Sequence, residues 1–241
     1  MSEASRTELL IAVIARLLDG VRHVAVGASS PIPGAAAFLA QARSEAAMHV
    51  TVLGSQRHND FTDGGRELFD CAAQGRIDAF FLGGGQIDGE ANVNLVGLGD
   101  YPNLDVRFPG SFGSAYLYFL VPRVILFREE HSPRVLVPKV DFISAPGASA
   151  PGIHRPGGPH ALVTGRALFG FDRARARFRL DSVHPGETPA GIAEATGFTF
   201  DRAERMAETE PPDAATLTLI RGPVKDAIAE VYPRFAAKLA A

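Results

Sequence analysis

The sequence predicts an α/β fold: an open, mostly parallel sheet with flanking helices and an added region of mixed β structure. Three observations carry this reading. Apolar helical periodicity alternates with short β-branched runs over about the first third of the chain, the pattern of crossover helices joining parallel strands. Each of those runs ends in a glycine- or serine-containing turn: Gly27, Gly54 and Gly83 to Gly85. Close-set strand-like runs with no helix-length spacer then follow.

The elements read as follows. Ser5 and Glu8 form a capping box ahead of Leu9, Leu10, Val13, Ile14, Leu17 and Leu18 at helical spacing, and Gly20 ends that helix. Strand HVAVGAS, helix GAAAFLAQARSEA, strand HVTVLGS, helix GRELFDCAAQG and strand IDAFFLGGG complete the first part. In the middle, ANVNLVGLG, RVILFRE and RVLVPKVDFI read as strands, and SFGSAYLYFLV suits helix or strand. EEHSPR reads as a solvated hairpin turn between two of them. Ala145 to His160 is rich in proline and glycine and is read as an ordered loop covering a pocket. ALVTG resumes a strand, and residues 166–186 form a hairpin whose Arg173, Arg175, Arg177 and Arg179 lie on a solvated face. Residues 187–241 are read as helical, with Pro189 near a helix start and Gly197 near its end. The whole chain, 1–241, is read as one domain.

Composition narrows the function. With 46% hydrophobic residues, 21% charged residues and a formal charge of −3, the chain has a globular core and no field that would draw it to nucleic acid or a membrane surface. Cys71 is the only cysteine and sits in an apolar helical pattern, where a buried structural thiol is expected. No apolar run reaches the roughly 20 residues of a membrane span, and no secretory leader precedes the first helix. A cytoplasmic protein is expected. No His/Cys/Asp cluster has metal-ligand spacing, and no Gly-x-Ser-x-Gly elbow supports serine-hydrolase chemistry.

The richest local pattern is FLGGGQIDGEANVN, residues 81–94. Three glycines after a strand let a ligand approach the backbone. From spacing alone, a tight turn with Asx-type contacts is the plainer reading, since the dinucleotide fingerprint is incomplete. The wording, however, resembles the β subunits of class I coenzyme A-transferases. The family's Gly-Gly-Ala-Gln-Ile-Asp stretch appears as Gly83 to Asp88, its Gly-Asn-(Ile/Val)-Asn as Ala91 to Asn94, and its Gly-Asp-Tyr as Gly99 to Tyr101. The family's glycine-rich turn appears as Pro109-Gly110-Ser111-Phe112-Gly113, and its Lys-Val-Asp-(Phe/Tyr) stretch as Lys139 to Gly147. PPDAATLTLIRG resembles the Pro-Asp-…-Leu-Ile-Arg segment near the family's end. Order and spacing agree from about His23 to Arg221.

The resemblance implies the CoA-transferase-like fold shared with NagB and RpiA. It also implies an acyl-CoA substrate with no permanently bound cofactor, and an α-type partner subunit in an α2β2 heterotetramer. It points to Gly54, Ser55, Gln56, Gly83, Gly84, Gly85, Gln86, Asn92, Asn94, Gly110, Ser111, Phe112 and Gly113 as residues around substrate and CoA. Backbone N–H groups at Gly84 to Gln86 or Ser111 to Gly113 are candidate oxyanion or enolate donors. Arg123, Arg128 and Arg134 are candidate partners for CoA phosphates, although surface arginines need no such role.

One departure changes the expected chemistry. The family's glutamate nucleophile ends a strand before a Ser-Gly or Asn-Gly turn, and the register here puts Leu53 at that position. Three explanations follow, in order of preference. The chain belongs with a branch that opens a ring in a cyclic acyl-CoA by hydrolysis, as in bacterial steroid degradation, and relies on an acidic residue of its α-type partner. Alternatively, it is a genuine transferase in which Asp60 or another carboxylate acts in a rearranged loop. Or it is a non-catalytic chain that binds CoA or scaffolds its partner. His58 and Asp60 are the weak catalytic candidates of the loop after HVTVLGS, and a solvent-exposed loop histidine is the preferred reading of His58.

Overall fold

The computed structural model describes residues 4–240. Helix α1 (Arg6–Arg16) begins with the expected capping box: the Glu8 N–H donates to Ser5 Oγ, and the Ser5 N–H donates back to the Glu8 carboxylate. β1 (His23–Val26), α2 (Pro31–Arg43), β2 (His49–Val52), α3 (Gly64–Ala73) and β3 (Ala79–Leu82) then alternate as the patterning predicts. Four two-residue strands follow: β4 (Gln86–Ile87), β5 (Val93–Asn94), β6 (Gly97–Leu98) and β7 (Val106–Arg107). Helix α4 (Ser114–Leu120) leads into β8 (Arg123–Arg128). Next come β9 (Pro159–Thr164), β10 (Ala167–Asp172), β11 (Arg177–Val183), α5 (Pro189–Glu194) and β12 (Asp201–Glu208). The chain closes with α6 (Ala214–Leu219), a π-helical turn (Ile220–Val224), α7 (Lys225–Ala229), α8 (Pro233–Ala236) and a 3-10 turn (Ala237–Ala240).

The main sheet has eight strands in the order β12-β11-β10-β9-β8-β3-β1-β2. β9, β8, β3, β1 and β2 run parallel, and β9-β10-β11 form an antiparallel meander. Side-chain alternation sorts the strands between two cores. Val24, Val26, Val52, Phe81 and Ile125 face α1, α2 and the C-terminal helical residues Ile220, Val224 and Ile228. Ala25, Phe80, Leu82 and Leu126 face Leu68 and Ala72 of α3, Leu117 and Tyr118 of α4, and Ile192 of α5. Each fully buried Leu, Ile or Val contributes roughly 1.5–3 kcal/mol of apolar burial. Cys71 is only half-buried, packed against the second core.

Several expectations are corrected. The segment expected to be all helical carries β12, which pairs in parallel with β11 at the sheet edge. Its sequence, DRAERMAE, is charged and mostly exposed, which suits an edge strand but gives no apolar period to read. The arginine face beside it is less solvated than expected: Arg175 and Arg177 both pair with Asp201, and Arg173 donates to backbone carbonyls of Gly158 and Pro159. RVLVPKVDFI forms no ladder. It buries Val135, Leu136 and Val137 and touches β4 through a single Ile87–Leu136 bridge. EEHSPR is not a hairpin, because β8 pairs onward with the parallel β9. The Pro/Gly-rich stretch is an ordered loop: Gly147 packs on the Glu90 and Ala91 backbone, and Arg155 lies over the Tyr118 ring. Among the described residues, no helix is long and apolar enough to cross a membrane.

Candidate active-site cleft

The carboxyl ends of β1, β3 and β8 open into a cleft of about 1010 Å³, the position where open α/β sheets bind ligands. Its walls include Ser29 and Ser30 before α2, the Gly83–Gly85 turn after β3, Phe108 to Gly110, and Arg128 to Glu130 after β8.

The three glycines are demanded by close packing. A Cβ on Gly83 would meet the Phe127 carbonyl at 2.9 Å, on Gly84 the Val93 side chain at 2.4 Å, and on Gly85 the Phe108 ring at 2.1 Å. The Gly85 N–H donates to the Asn94 carbonyl, so it is engaged within the fold. Of the expected donors in this turn, Gly84 is the one in the cleft wall whose N–H meets no backbone carbonyl among the described residues.

Gln86, Asn92 and Asn94 lie behind the turn, all buried. Gln86 Oε1 accepts from Asn94 Nδ2 and from the Asp141 N–H. Asp88 accepts from the Asn92 backbone and side chain, and Asn92 Oδ1 accepts from the Gly147 N–H. Asn94 Oδ1 accepts from the N–H groups of Val96 and Gly97. This polar knot shapes the glycine turn from beneath, and none of Gln86, Asn92 and Asn94 lines the cleft. Its carbonyl and carboxylate oxygens all accept hydrogen bonds within the fold, as buried polar groups generally do.

The turn after β2 is placed differently from the resemblance-based expectation. None of Leu53, Gly54, Ser55, Gln56, His58 or Asp60 lines the cleft. Leu53 is partly buried against the apolar core beneath α3 and α4. Ser55 Oγ donates to Glu230 at 2.5 Å, and the Gln56 N–H donates to the same carboxylate at 2.9 Å. Those two bonds, the serine hydroxyl first, hold Glu230 below the ordinary carboxylate range. His58 packs edge-on against Phe38 of α2 at 4.7 Å. Its carbonyl accepts the Val52 N–H, so the chain doubles back along β2. Asp60 therefore ends beside His49 at the amino end of that strand, at 2.9 Å.

Of the second glycine-rich turn, only Pro109 and Gly110 reach the cleft, and Ser111 does not. Gly113 sits where a Cβ would strike Phe69, and Phe112 projects into solvent at 87% exposure. Of the three arginines proposed for phosphate, Arg128 lines the cleft, Arg134 pairs with Glu130, and Arg123 Nη1 donates to the carbonyls of Leu17 and Asp19 below the sheet.

Sequence reasoning missed two walls. The Ser29-Ser30-Pro31 start of α2 was legible as a strand end followed by proline at a helix start, with Ser29 at φ +59. Glu129 and Glu130 read from the sequence as solvated turn residues, and His131 between them and the core is what brings them to the cleft. His131 is buried and bridges Thr164 Oγ1 at 2.8 Å and Thr196 Oγ1 at 2.9 Å. Burial pushes its pKa down to about 4, so it stays neutral. Ser132 and then Arg134 hold Glu130 below the carboxylate range. Among the described residues, no group of three or more His, Cys, Asp or Glu side chains is arranged to hold a metal ion.

Comparison with known proteins agrees with this architecture. One chain of the glutaconate CoA-transferase from Acidaminococcus fermentans is 34% identical over 148 residues, 58% of this chain and 54% of that one, so the match spans about half the length of that relative. The IpdB subunit of a cholesterol ring-cleaving hydrolase from Rhodococcus jostii is 24% identical over 236 residues, 92% of each chain. The solved Rhodococcus jostii IpdAB shares the fold, with a TM-score of 0.81, 24% identity and coverage of 92% of this chain and 94% of that one. The crystal structure of the decarboxylase AibA/AibB superposes with a TM-score of 0.79 at 26% identity, covering 98% of this chain and 99% of that one. The sequence pattern of the coenzyme A transferase family matches residues 7–195, and the chain belongs to that family.

Proposed function

We propose that this chain is the β-type member of a heteromeric enzyme that opens a ring in a cyclic acyl-CoA by adding water. An α-type partner, in an α2β2 assembly, would supply the other half of the cleft. The carrying observation is Leu53. In the family register it stands at the nucleophile's position, it is apolar, and it packs into the core. A glutamyl-CoA thioester has no carboxylate to form on at that strand end. The carboxylates near that strand are engaged: Asp60 by His49, Glu230 by Ser55 and Gln56. The IpdB relative, aligned over nearly its full length, is named for ring cleavage, which supports the same direction. Acyl-CoA enters as substrate, and its thioester would lie against Gly84 and the Gly110 turn. Exposed Phe112, two residues from Gly110 in the same turn, suits coverage by the partner.

CoA exchange between an acyl-CoA and a carboxylic acid is the second reading, favoured by the glutaconate CoA-transferase relative. The test is to co-express the chain with its α-type partner and offer a panel of acyl-CoAs with and without acetate or succinate. Products are followed by mass spectrometry in isotopically labelled water. Uptake of one water with CoA still attached is the expected result. Transfer of CoA to the acceptor overturns the ring-opening reading.

A further inference from the structure

We propose that the amino ends of the parallel strands carry a second ligand site, one that binds the dianionic phosphate group of a small phosphate monoester. A pocket of about 480 Å³ opens there. Small-molecule sites span roughly 300–1,000 Å³. Arg22 precedes β1, Asp78 precedes β3, Arg123 opens β8, His160 stands near the start of β9, and Arg173 follows β10. The cleft lies at the other end of the same strands. Arg128 of β8 lines the cleft and Arg123 lines this pocket, roughly 16 Å apart along a strand rising about 3.3 Å per residue.

The charges around this pocket do not balance. Arg22 and Asp78 cancel, because Arg22 Nε and Nη2 both donate to the Asp78 carboxylate, at 3.2 and 2.9 Å. Asp181, which also faces His160, is held by Arg179 at 2.7 Å. Arg123 and Arg173 have no carboxylate among the described residues. Arg123 Nη1 donates to the carbonyls of Leu17 and Asp19, at 2.9 and 2.8 Å. Arg173 donates through Nε and Nη2 to the carbonyls of Pro159, Gly158 and Pro122. Carbonyls orient a guanidinium without neutralising it. Arg123 Nη2 and Arg173 Nη1 keep N–H groups with no partner among the described residues. Desolvation, then the Arg123 and Arg173 charges, lower the His160 imidazole from its ordinary value, so it stands beside both as a neutral ring.

Two unbalanced guanidinium charges suit a ligand that carries two negative charges, and a single carboxylate would answer only one of them. Arginine forks bind phosphate through charge-assisted hydrogen bonds. The carbonyl anchors hold both side chains in place beforehand, which lowers the ordering cost of binding. Phe171 and Pro159 give the pocket an apolar side for a small organic group. No residue of this pocket lines the cleft, so the site is independent of the reaction the cleft performs.

The experiment titrates inorganic phosphate into the complex of this chain with its α-type partner, by calorimetry at constant ionic strength, and repeats the titration with acetate. Phosphate should bind once per copy of this chain with a dissociation constant of about 1 mM or lower, and acetate about tenfold more weakly or less. Arg173→Gln should weaken phosphate binding by about tenfold or more. His160→Glu sets a carboxylate beside both guanidinium groups and should weaken it as much. That variant leaves every carbonyl anchor in place, so it decides the matter if Arg173→Gln does not assemble. A wild-type complex that binds no phosphate, as it would if an acidic segment of the partner filled the pocket, overturns the proposal. So does acetate binding as tightly as phosphate, or an assembled variant that binds phosphate within about twofold of wild type.

Discussion

At the end of β2, the carboxylates near the turn have partners inside the fold. Ser55 and Gln56 hold Glu230, the chain doubles back through the His58 carbonyl, and Asp60 is carried to the other end of the strand. At the end of β8, Arg134 and Ser132 engage Glu130, buried His131 pins the turn, and Glu129 is left facing the cleft. Both turns end parallel strands of one sheet. The difference teaches that a carboxylate's usefulness is set by what its neighbours leave unsatisfied, and not by its nearness to a strand end in sequence.

The contrast can be broken at several points. The largest effect should come from acid. Burial holds His131 and His184 at about 4 in the folded chain, below the ordinary value near 6.5. The unfolded chain then binds more protons between those values, so stability falls as pH drops from about 6.5 to about 4 and is independent of these groups above that window. Each imidazole accounts for about 3 kcal/mol at full titration. Urea melts across that range check it, and a flat profile from pH 6.5 to 4 would refute it.

Leu53→Glu places a carboxylate at the end of β2. Because Leu53 packs on the second core, the substitution should cost about 2 kcal/mol of stability, read as a lower thermal midpoint. Glu230→Ala sharpens the comparison more gently. It releases Ser55 and Gln56, and with solvent screening the loss should be about 1 kcal/mol in a denaturant melt. Smallest of all, Asp60→Asn should leave the complex's turnover within about twofold, since Asp60 lies at the amino end of β2. A hundredfold loss there would restore the β2 loop as the reacting centre.

Much of this was legible in order along the chain. The capping box at Ser5 and Glu8, the alternating units through Leu82 and the glycine turn each leave a local signature of period or residue type. β12 was not legible, because an exposed edge strand of alternating charge has neither an apolar period nor a turn signal. EEHSPR misled for a related reason. Its charges advertise solvent, while the decisive contact is His131 reaching Thr164 and Thr196, 33 and 65 residues away.

The sequence by itself determined the α/β class, the family, and the glycines that only a crowded backbone turn would require, since these follow from short-range periodicity and from motifs fixed in order. Only the tertiary structure decided which polar residues face the cleft. Gln86, Asn92 and Asn94 turned out to be engaged beneath the glycine turn, Asp60 at the other end of β2, and Glu129 unengaged in the cleft. The physical reason is that hydrogen-bond satisfaction is settled between segments distant in sequence, and no local pattern records which donor reaches which acceptor.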